Sequence, residues 1–436
     1  MTLYQLSLAL AVLLPAVACI TLGGLWWCGA RIPERFITRM AYVFYVVMFA
    51  AVLVTWFGET FVHHSPITVP VGMWYHTRDF HFEMKLRADG ISLPFLGMTA
   101  LLVGVISAFS ERYMHRDPGF VRFYFLLHLF AFGCMLLYSA GTFDLLAAGW
   151  ELLGLTSVLL IAYFQHRSDP VNASLRVFAT YRITDIGLLT ALATMHHAVH
   201  STEFDQVMPG GISAVSGPQA TVVLLLLMFA ACGKSAQLPF SGWLPRAMEG
   251  PTPTSAIFYG ALSVHAGVYL ILRVFPLIEA SVLARGVIVV IGALTALYGT
   301  IVGRATADVK SSIAHASMTQ LGLMFMELGF GWTTLALWHA CGHAAVRTLE
   351  FLRAPSALRD TSHIHSGAMG QLDATGRIYE KLLPLSVRTT LYRLAIERCY
   401  LDSIIDRFVH QPFQWLITTI ARIDHTLIGD PRDSTG

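Results

Sequence analysis

About eleven apolar runs, each close to twenty residues long, account for most of this chain. They fall at roughly 3–27, 37–57, 91–110, 121–140, 144–165, 176–199, 219–239, 254–275, 281–303, 311–329 and 332–352. A helix needs about 20 apolar residues to cross the hydrocarbon of a bilayer. In lipid every backbone polar group must be satisfied internally, which leaves the helix as the spanning element for such runs. The pattern predicts an all-α, polytopic membrane helix bundle. The composition agrees, at 55% hydrophobic and 13% charged over 436 residues, with a mean hydropathy of +0.60. The first run, Leu3 to Trp27, is not followed by a small-residue cleavage site and a soluble domain, and reads as a retained span. A net charge of +2 gives no basis for nucleic-acid binding. The six cysteines, at 19, 28, 134, 232, 341 and 399, show no CxxC or metal spacing.

The runs divide the chain into two N-terminal spans over 1–58, an extracytoplasmic loop over 59–90, a transmembrane core over 91–352 and a cytoplasmic or interfacial C-terminal segment with amphipathic helices over 353–436. The loop alternates polar and apolar residues from Glu59 to Asp89, which predicts a small hairpin outside the bilayer. Basic residues collect in the odd loops: Arg31, Arg35 and Arg39, then Arg112, Arg116 and Arg122, then Arg167, Arg246, and Arg304 with Lys310. The fourth, sixth and tenth loops carry none. Odd loops are therefore expected on the cytoplasmic side and the N-terminus outside, in a multi-pass protein of the cell inner membrane. Residues 387–429 read as helix, amphipathic at first and broken at Pro412. The part from Phe413 to Ile428 suits either an interfacial helix or a tilted span.

Ionisable residues inside apolar runs are the candidates for function. A charged side chain at mid-membrane costs roughly 2.5–3.5 kcal/mol on insertion scales. Glu151 lies in the fifth run, Arg182 and Asp185 in the sixth, Lys234 near the end of the seventh and His265 in the eighth. Lys310 and His315 belong to the tenth run; His339, His343 and Arg347 follow at spacings of four in the eleventh. Pro239, Pro245, Pro251 and Pro253 interrupt the chain after Lys234, predicting a broken seventh helix beside that lysine. Structural readings stand beside the functional ones. Arg182 with Asp185, or Arg347 with Glu350, makes a buried ion pair. His265 finds a neighbouring carbonyl, and Lys310 snorkels to the cytoplasmic surface. The histidine pair at i, i+4 suits zinc, but no third ligand accompanies it and no metal is expected. Glu151 and Lys234, a carboxylate and an amine on separate spans, form the pair best suited to exchanging protons as local charge changes.

At these residues the chain resembles a known family. The segments GWELLGLTSVLLIAYF, TYRITDIGLL, GKSAQLPFSGWLPRAMEGPTPTSA and TADVKSSIAHASMTQLGLMF are similar to the antiporter-like subunits of respiratory complex I, of the chain 5 type. The large subunit of Mrp cation antiporters and the membrane subunit of DAB-type inorganic-carbon accumulators belong to the same family. The resemblance covers about residues 85–352, with a tail-like ERCYLDSIIDRFVHQPF. It implies an antiporter-like core of inverted repeats, in which Glu151 and Lys234 are the coupling pair. Asp185, Lys310, His339 and His343 match further positions of a polar axis that carries protons or Na+.

Four departures from the family pattern shape the expectation. Tyr259 stands where the eighth span usually has a histidine, and His265 appears later; Arg347 replaces a lysine and cannot deprotonate. The broken twelfth helix and the long lateral helix have no counterpart between the eleventh span and the tail, so the second repeat is incomplete. Two functions follow. The first is an ion-conducting subunit coupled to a cytoplasmic partner in DAB-type inorganic carbon accumulation, the partner being similar to a zinc carbonic anhydrase. The alternative is a proton-pumping subunit of an NADH-quinone oxidoreductase or hydrogenase-like complex. A relic that no longer conducts is a third reading. No cofactor motif lies in the chain, so any catalysis belongs to a partner.

Overall fold

A computed structural model describes residues 1–76, 81–209, 214–215, 217–279, 281–367 and 384–428. Every one of the eleven apolar runs is helical: Leu3–Trp27, Glu34–Phe57, Ser92–Tyr113, Phe120–Tyr138, Phe143–Ile161, Ser168–Val199, Gly217–Lys234, an interrupted Thr252–Arg273, Val282–Ala305, Val309–Phe330 and Thr333–Gly367. Eight are long and apolar enough to cross a membrane on composition alone. The sixth, tenth and eleventh are not among them, and these three carry Arg182, Asp185, Lys310, His315, His339, His343 and Arg347. Their low hydropathy is the direct cost of those side chains.

The first span packs on the second and fourth, the fourth on the fifth, the sixth on the seventh, and the ninth on the tenth and the tenth on the eleventh. The ninth and tenth approach most closely, through glycine. A Cβ on Gly292 would lie 2.5 Å from the Gly322 carbonyl oxygen, and one on Gly299 would lie 2.7 Å from that of His315. Small residues let backbones meet where lipid offers no hydrophobic drive.

The expected hairpin is present, Ile67–His76 pairing antiparallel with His81–Ala88 in a register that sets Ile67 opposite Ala88. Its base is held by the ends of even-numbered connections. Arg87 bonds Asp205 at 2.5 Å and Asp89 at 2.7 Å, and Arg273 at the end of the eighth span bonds Asp89 at 2.6 and 3.0 Å. Gly141 N donates to the Lys85 carbonyl at 2.7 Å.

Three expectations change. The eleventh helix does not stop near 352 but continues to Gly367. Pro412 does not break the tail helix: a π turn over Asp406–His410 leads directly into Gln411–Ile428, and such a widened turn is where a helix adjusts its hydrogen bonding. The tail turns instead at Arg398, Cys399 and Tyr400, whose φ values are +48°, +54° and +58°. Asp402 and Asp406 anchor this tail to the core, Asp402 to Arg246 at 2.8 Å and Asp406 to Arg176. The proline assignment also changes. Pro251 caps the eighth span and Pro253 lies in its first turn, so only Pro239 and Pro245 fall within the interruption.

Candidate functional site

The seventh span ends at Lys234 itself. Ser235 N and Gln237 N bond back to the carbonyls of Ala231 and Cys232, and Ala236 then takes a positive φ of 50°. Short turns occupy Phe240–Gly242, Trp243–Arg246 and Ala247–Glu249 before the eighth span begins. That span is interrupted too, without a proline. A π turn over Ala256–Ala261 gives way at Leu262 to a tight turn over Ser263–His265, and α-helix resumes at Ala266. Ser235 Oγ, donating to the Val264 carbonyl at 2.6 Å, ties the two interruptions together. Irregular backbone at membrane depth is tolerated where protein surrounds it, and the eighth span is buried throughout.

Lys234 therefore presents its amine at a C-terminal helix end, where the helix dipole favours a cation. It is fully buried, and its Nζ has no hydrogen-bond partner among the described residues. Two ring faces take the place of acceptors, Tyr181 at 4.0 Å and Trp150 at 5.0 Å from Nζ to centroid. Gly154 leaves room for it: a Cβ there would lie 2.6 Å from Nζ. A ring face stabilises a desolvated cation by about 2 kcal/mol.

Glu151, Arg182 and Asp185 gather alongside. Arg182 Nη2 contacts Glu151 Oε2 and donates to Asp185 Oδ2 at 2.8 Å. Trp150 Nε1 donates to Asp185 Oδ1 at 2.6 Å. The expected Glu151–Lys234 pair is thus not a direct one; Arg182 occupies the carboxylate of Glu151. Asp185 and Glu151 still attract the Lys234 charge across the cluster while Arg182 opposes it.

A second group joins the eighth and eleventh spans. His265 Nε2 lies 3.0 Å from His343 Nδ1, and Arg347 Nε donates to His343 Nε2 at 3.3 Å. A guanidinium only donates, so His343 carries its proton on Nδ1 and gives it to His265 Nε2. His265 then carries its own proton on Nδ1, inside the buried bundle. Arg347 also contacts Glu350, as the sequence suggested. His339 turns elsewhere, to Glu327 at 2.9 Å and Gln320 at 3.0 Å; the two eleventh-span histidines thus serve different partners.

Lys310 and His315 stand apart from both groups. Lys310 lies in the first turn of the tenth span with no ion pair among the described residues, and His315 Nδ1 donates to the Ser311 carbonyl at 2.8 Å. Tyr259 is buried against Trp243, 5.8 Å between ring centroids. Trp150, Tyr181, Gln320 and Glu327 were not singled out from sequence. Glu327 was findable, being a carboxylate inside the tenth apolar run.

Comparison with known proteins adds the following. Residues 141–389 match the family described as NADH:quinone oxidoreductase/Mrp antiporter, TM. Residues 74–124 match that described as NADH-Ubiquinone oxidoreductase (complex I), chain 5 N-terminus. The chain is 33% identical over 325 residues to NAD(P)H-quinone oxidoreductase chain 5 of Picosynechococcus sp., covering 73% of this chain and 49% of that protein. It is 36% identical over 296 residues to NADH-ubiquinone oxidoreductase chain 5 of Allomyces macrogynus, covering 67% and 46%. Among solved structures it superposes on a chain of the Mrp complex from Dietzia sp. DQ12-45-1b with TM-score 0.69 and 25% identity, covering 80% of this chain and 37% of that one. A chain of the archaeal membrane-bound sulfane sulfur reductase shares the fold, with TM-score 0.67, 19% identity and coverage of 80% and 70%. The chain spans about half the length of the curated relatives it matches.

Proposed function

The chain belongs to the membrane-subunit family shared by complex I chain 5 and the Mrp antiporters, and from that premise we propose that it is a proton-translocating subunit of a multi-subunit membrane complex. The observation that carries the reading is Lys234: a fully buried amine without a hydrogen-bond acceptor, beside a carboxylate–guanidinium–carboxylate cluster. Such a group changes protonation when its neighbours change charge. Arg182 is the intermediary. Protonating Glu151 removes one of the two carboxylates that hold Arg182, and the freed guanidinium then repels the Lys234 charge. A proton gained at Glu151 is thereby paid out at Lys234.

The names carried by the relatives, quinone oxidoreductase, Mrp and sulfane sulfur reductase, support the pump-subunit reading over inorganic-carbon accumulation. The test is transport by the complex purified from its native membrane and reconstituted into vesicles containing a pH dye. Lys234→Ala and Glu151→Gln are expected to abolish ion-coupled proton movement while the complex still assembles. Undiminished proton movement in both variants would remove the proposal. Replacing K+ by Na+ in the same assay separates proton from sodium transport.

A further inference from the structure

The C-terminal tail is fastened to both elements that carry the Glu151–Arg182–Lys234 site. Asp402 accepts from Arg246 at 2.8 Å, and its Oδ1 lies against the backbone of Gly242, where a Cβ would collide with it. Gly242 and Arg246 belong to the link that follows Lys234. Asp406 meets two guanidinium nitrogens of Arg176 on the sixth span, one of them at 3.0 Å. His410 is buried; its Nδ1 donates to Asp406 Oδ1 at 2.8 Å, and its Nε2 lies 3.2 Å from Thr180 Oγ1. Thr180 directly precedes Tyr181, the ring under the Lys234 amine.

These bonds fix where the last helix begins. Phe413 stands one turn beyond His410, at the start of Gln411–Ile428. Of the described side chains from Gln411 to Thr426, all but Phe413 and Thr419 are exposed. The Phe413 ring packs on Phe178, 6.0 Å between centroids. Phe178 in turn faces Arg182, whose guanidinium carbon is 5.4 Å from the ring centre. The helix therefore gains its foothold on the ring that seats Arg182. That seat matters because Arg182 meets Glu151 and Asp185 through the same nitrogen, Nη2. A guanidinium bonded through two nitrogens is fixed in orientation; one bonded through a single nitrogen can pivot about it. A ring face attracts the cation and restrains that pivot.

We propose that the tail is a positioning element of this site: Phe413 holds the Phe178 ring, and that ring fixes the Arg182 guanidinium between Glu151 and Asp185. Phe413 touches none of the reacting groups and acts through Phe178. Its consequence for transport rests on the Glu151–Arg182–Lys234 exchange proposed above, whereas the seat itself rests on the ring contacts.

The test uses the whole complex, reconstituted into vesicles containing a pH dye. Phe413→Ala is expected to slow proton movement about tenfold, the effect of shifting a reacting group by roughly half an ångström. Phe413→Tyr, which keeps the ring, is expected to keep the parent rate. Phe178→Leu is expected to slow it as Phe413→Ala does, and combining the two to add nothing, because residues in one chain of contacts are not additive. The seat is also read without transport, by solid-state NMR of the labelled complex. The Arg182 guanidinium signal, assigned by its loss in Arg182→Lys, is expected to move in Phe413→Ala and to stay in Phe413→Tyr. Should Phe413→Ala not accumulate, Phe413→Leu removes the ring and keeps most of its apolar volume. An unmoved Arg182 signal, or additive slowing in the double variant, would overturn the proposal. So would a parent rate in Phe413→Ala when Lys234→Ala is inactive. Full transport in Lys234→Ala with the Arg182 signal still displaced by Phe413→Ala would instead remove the exchange and leave the seat standing.

Discussion

Replacing Gly154 by alanine moves the Lys234 amine without removing any charge or bond. A Cβ at 154 would lie 2.6 Å from Nζ, and real Cβ contacts do not fall below 3.0 Å, so the amine has to retreat by at least 0.4 Å. Relaxation to the 3.4 Å edge of ordinary contact requires 0.8 Å. The colliding atom is the far end of a flexible side chain, so the fold absorbs the change cheaply. The amine is displaced from its position over Tyr181, 4.0 Å away, and its distance to the Glu151–Arg182–Asp185 cluster changes. Misplacing reacting groups by 1 Å costs on the order of a hundredfold in rate, so a shift of half that size is expected to slow proton transfer about tenfold. The assay is the initial rate of dye-reported proton movement in vesicles, with native gels and thermal unfolding as controls for assembly. A rate equal to that of the parent complex, with Lys234→Ala inactive in the same preparation, would refute the argument that Lys234 works by position. A lowered unfolding temperature would refute the argument that the fold absorbs the change.

Trp150→Phe leaves Asp185 Oδ1 without its 2.6 Å donor; an unsatisfied buried acceptor costs about 1–3 kcal/mol, read as a lower thermal midpoint in detergent. Arg273→Ala strips the buried Asp89 of its bidentate partner and is expected to cost about 3–5 kcal/mol, with the double variant Arg273→Ala, Asp89→Ala recovering part of the loss in a thermal cycle. Burial raises the Asp89 pKa, but Arg273 and then Arg87 overcome it and hold the carboxyl well below its usual range. A carboxylate depressed on folding stabilises above its unfolded value of about 3.9 and stops doing so only as pH falls through the folded value. The difference in thermal midpoint between the parent and Asp89→Ala is therefore expected to be constant from pH 8 to 5, and a difference that shrinks across that window would contradict the assignment.

The spans were legible because an apolar run of membrane length admits few structures, and all eleven are helices. The charged residues were legible as outliers within those runs. Their pairings were not. Glu151 and Lys234 read as partners because they are an acid and a base on separate spans, but Arg182, on the helix between them in sequence, reaches Glu151 first. Lys234 is lodged instead against Trp150 and Tyr181, and aromatic residues are too common in spans for two of them to stand out. The interruption of the eighth span left no mark, since its π turn at Ala256–Ala261 involves no proline. Prolines proved ambiguous for the same reason in reverse: Pro251 and Pro253 begin a helix as readily as they break one.

The bond from Arg347 to His343 has a directional consequence. Because the guanidinium never surrenders a proton, the imidazole pair it orients is closed at that end, like a siding with a buffer stop. His343 Nδ1 already carries its hydrogen and the remaining lone pair, on Nε2, accepts from the guanidinium, so the ring takes up no further proton while both bonds stand. With lysine at 347 the siding would become a through line. Exchanging the permanent cation for a titratable one would open the lone pair of His343 to a proton from that side.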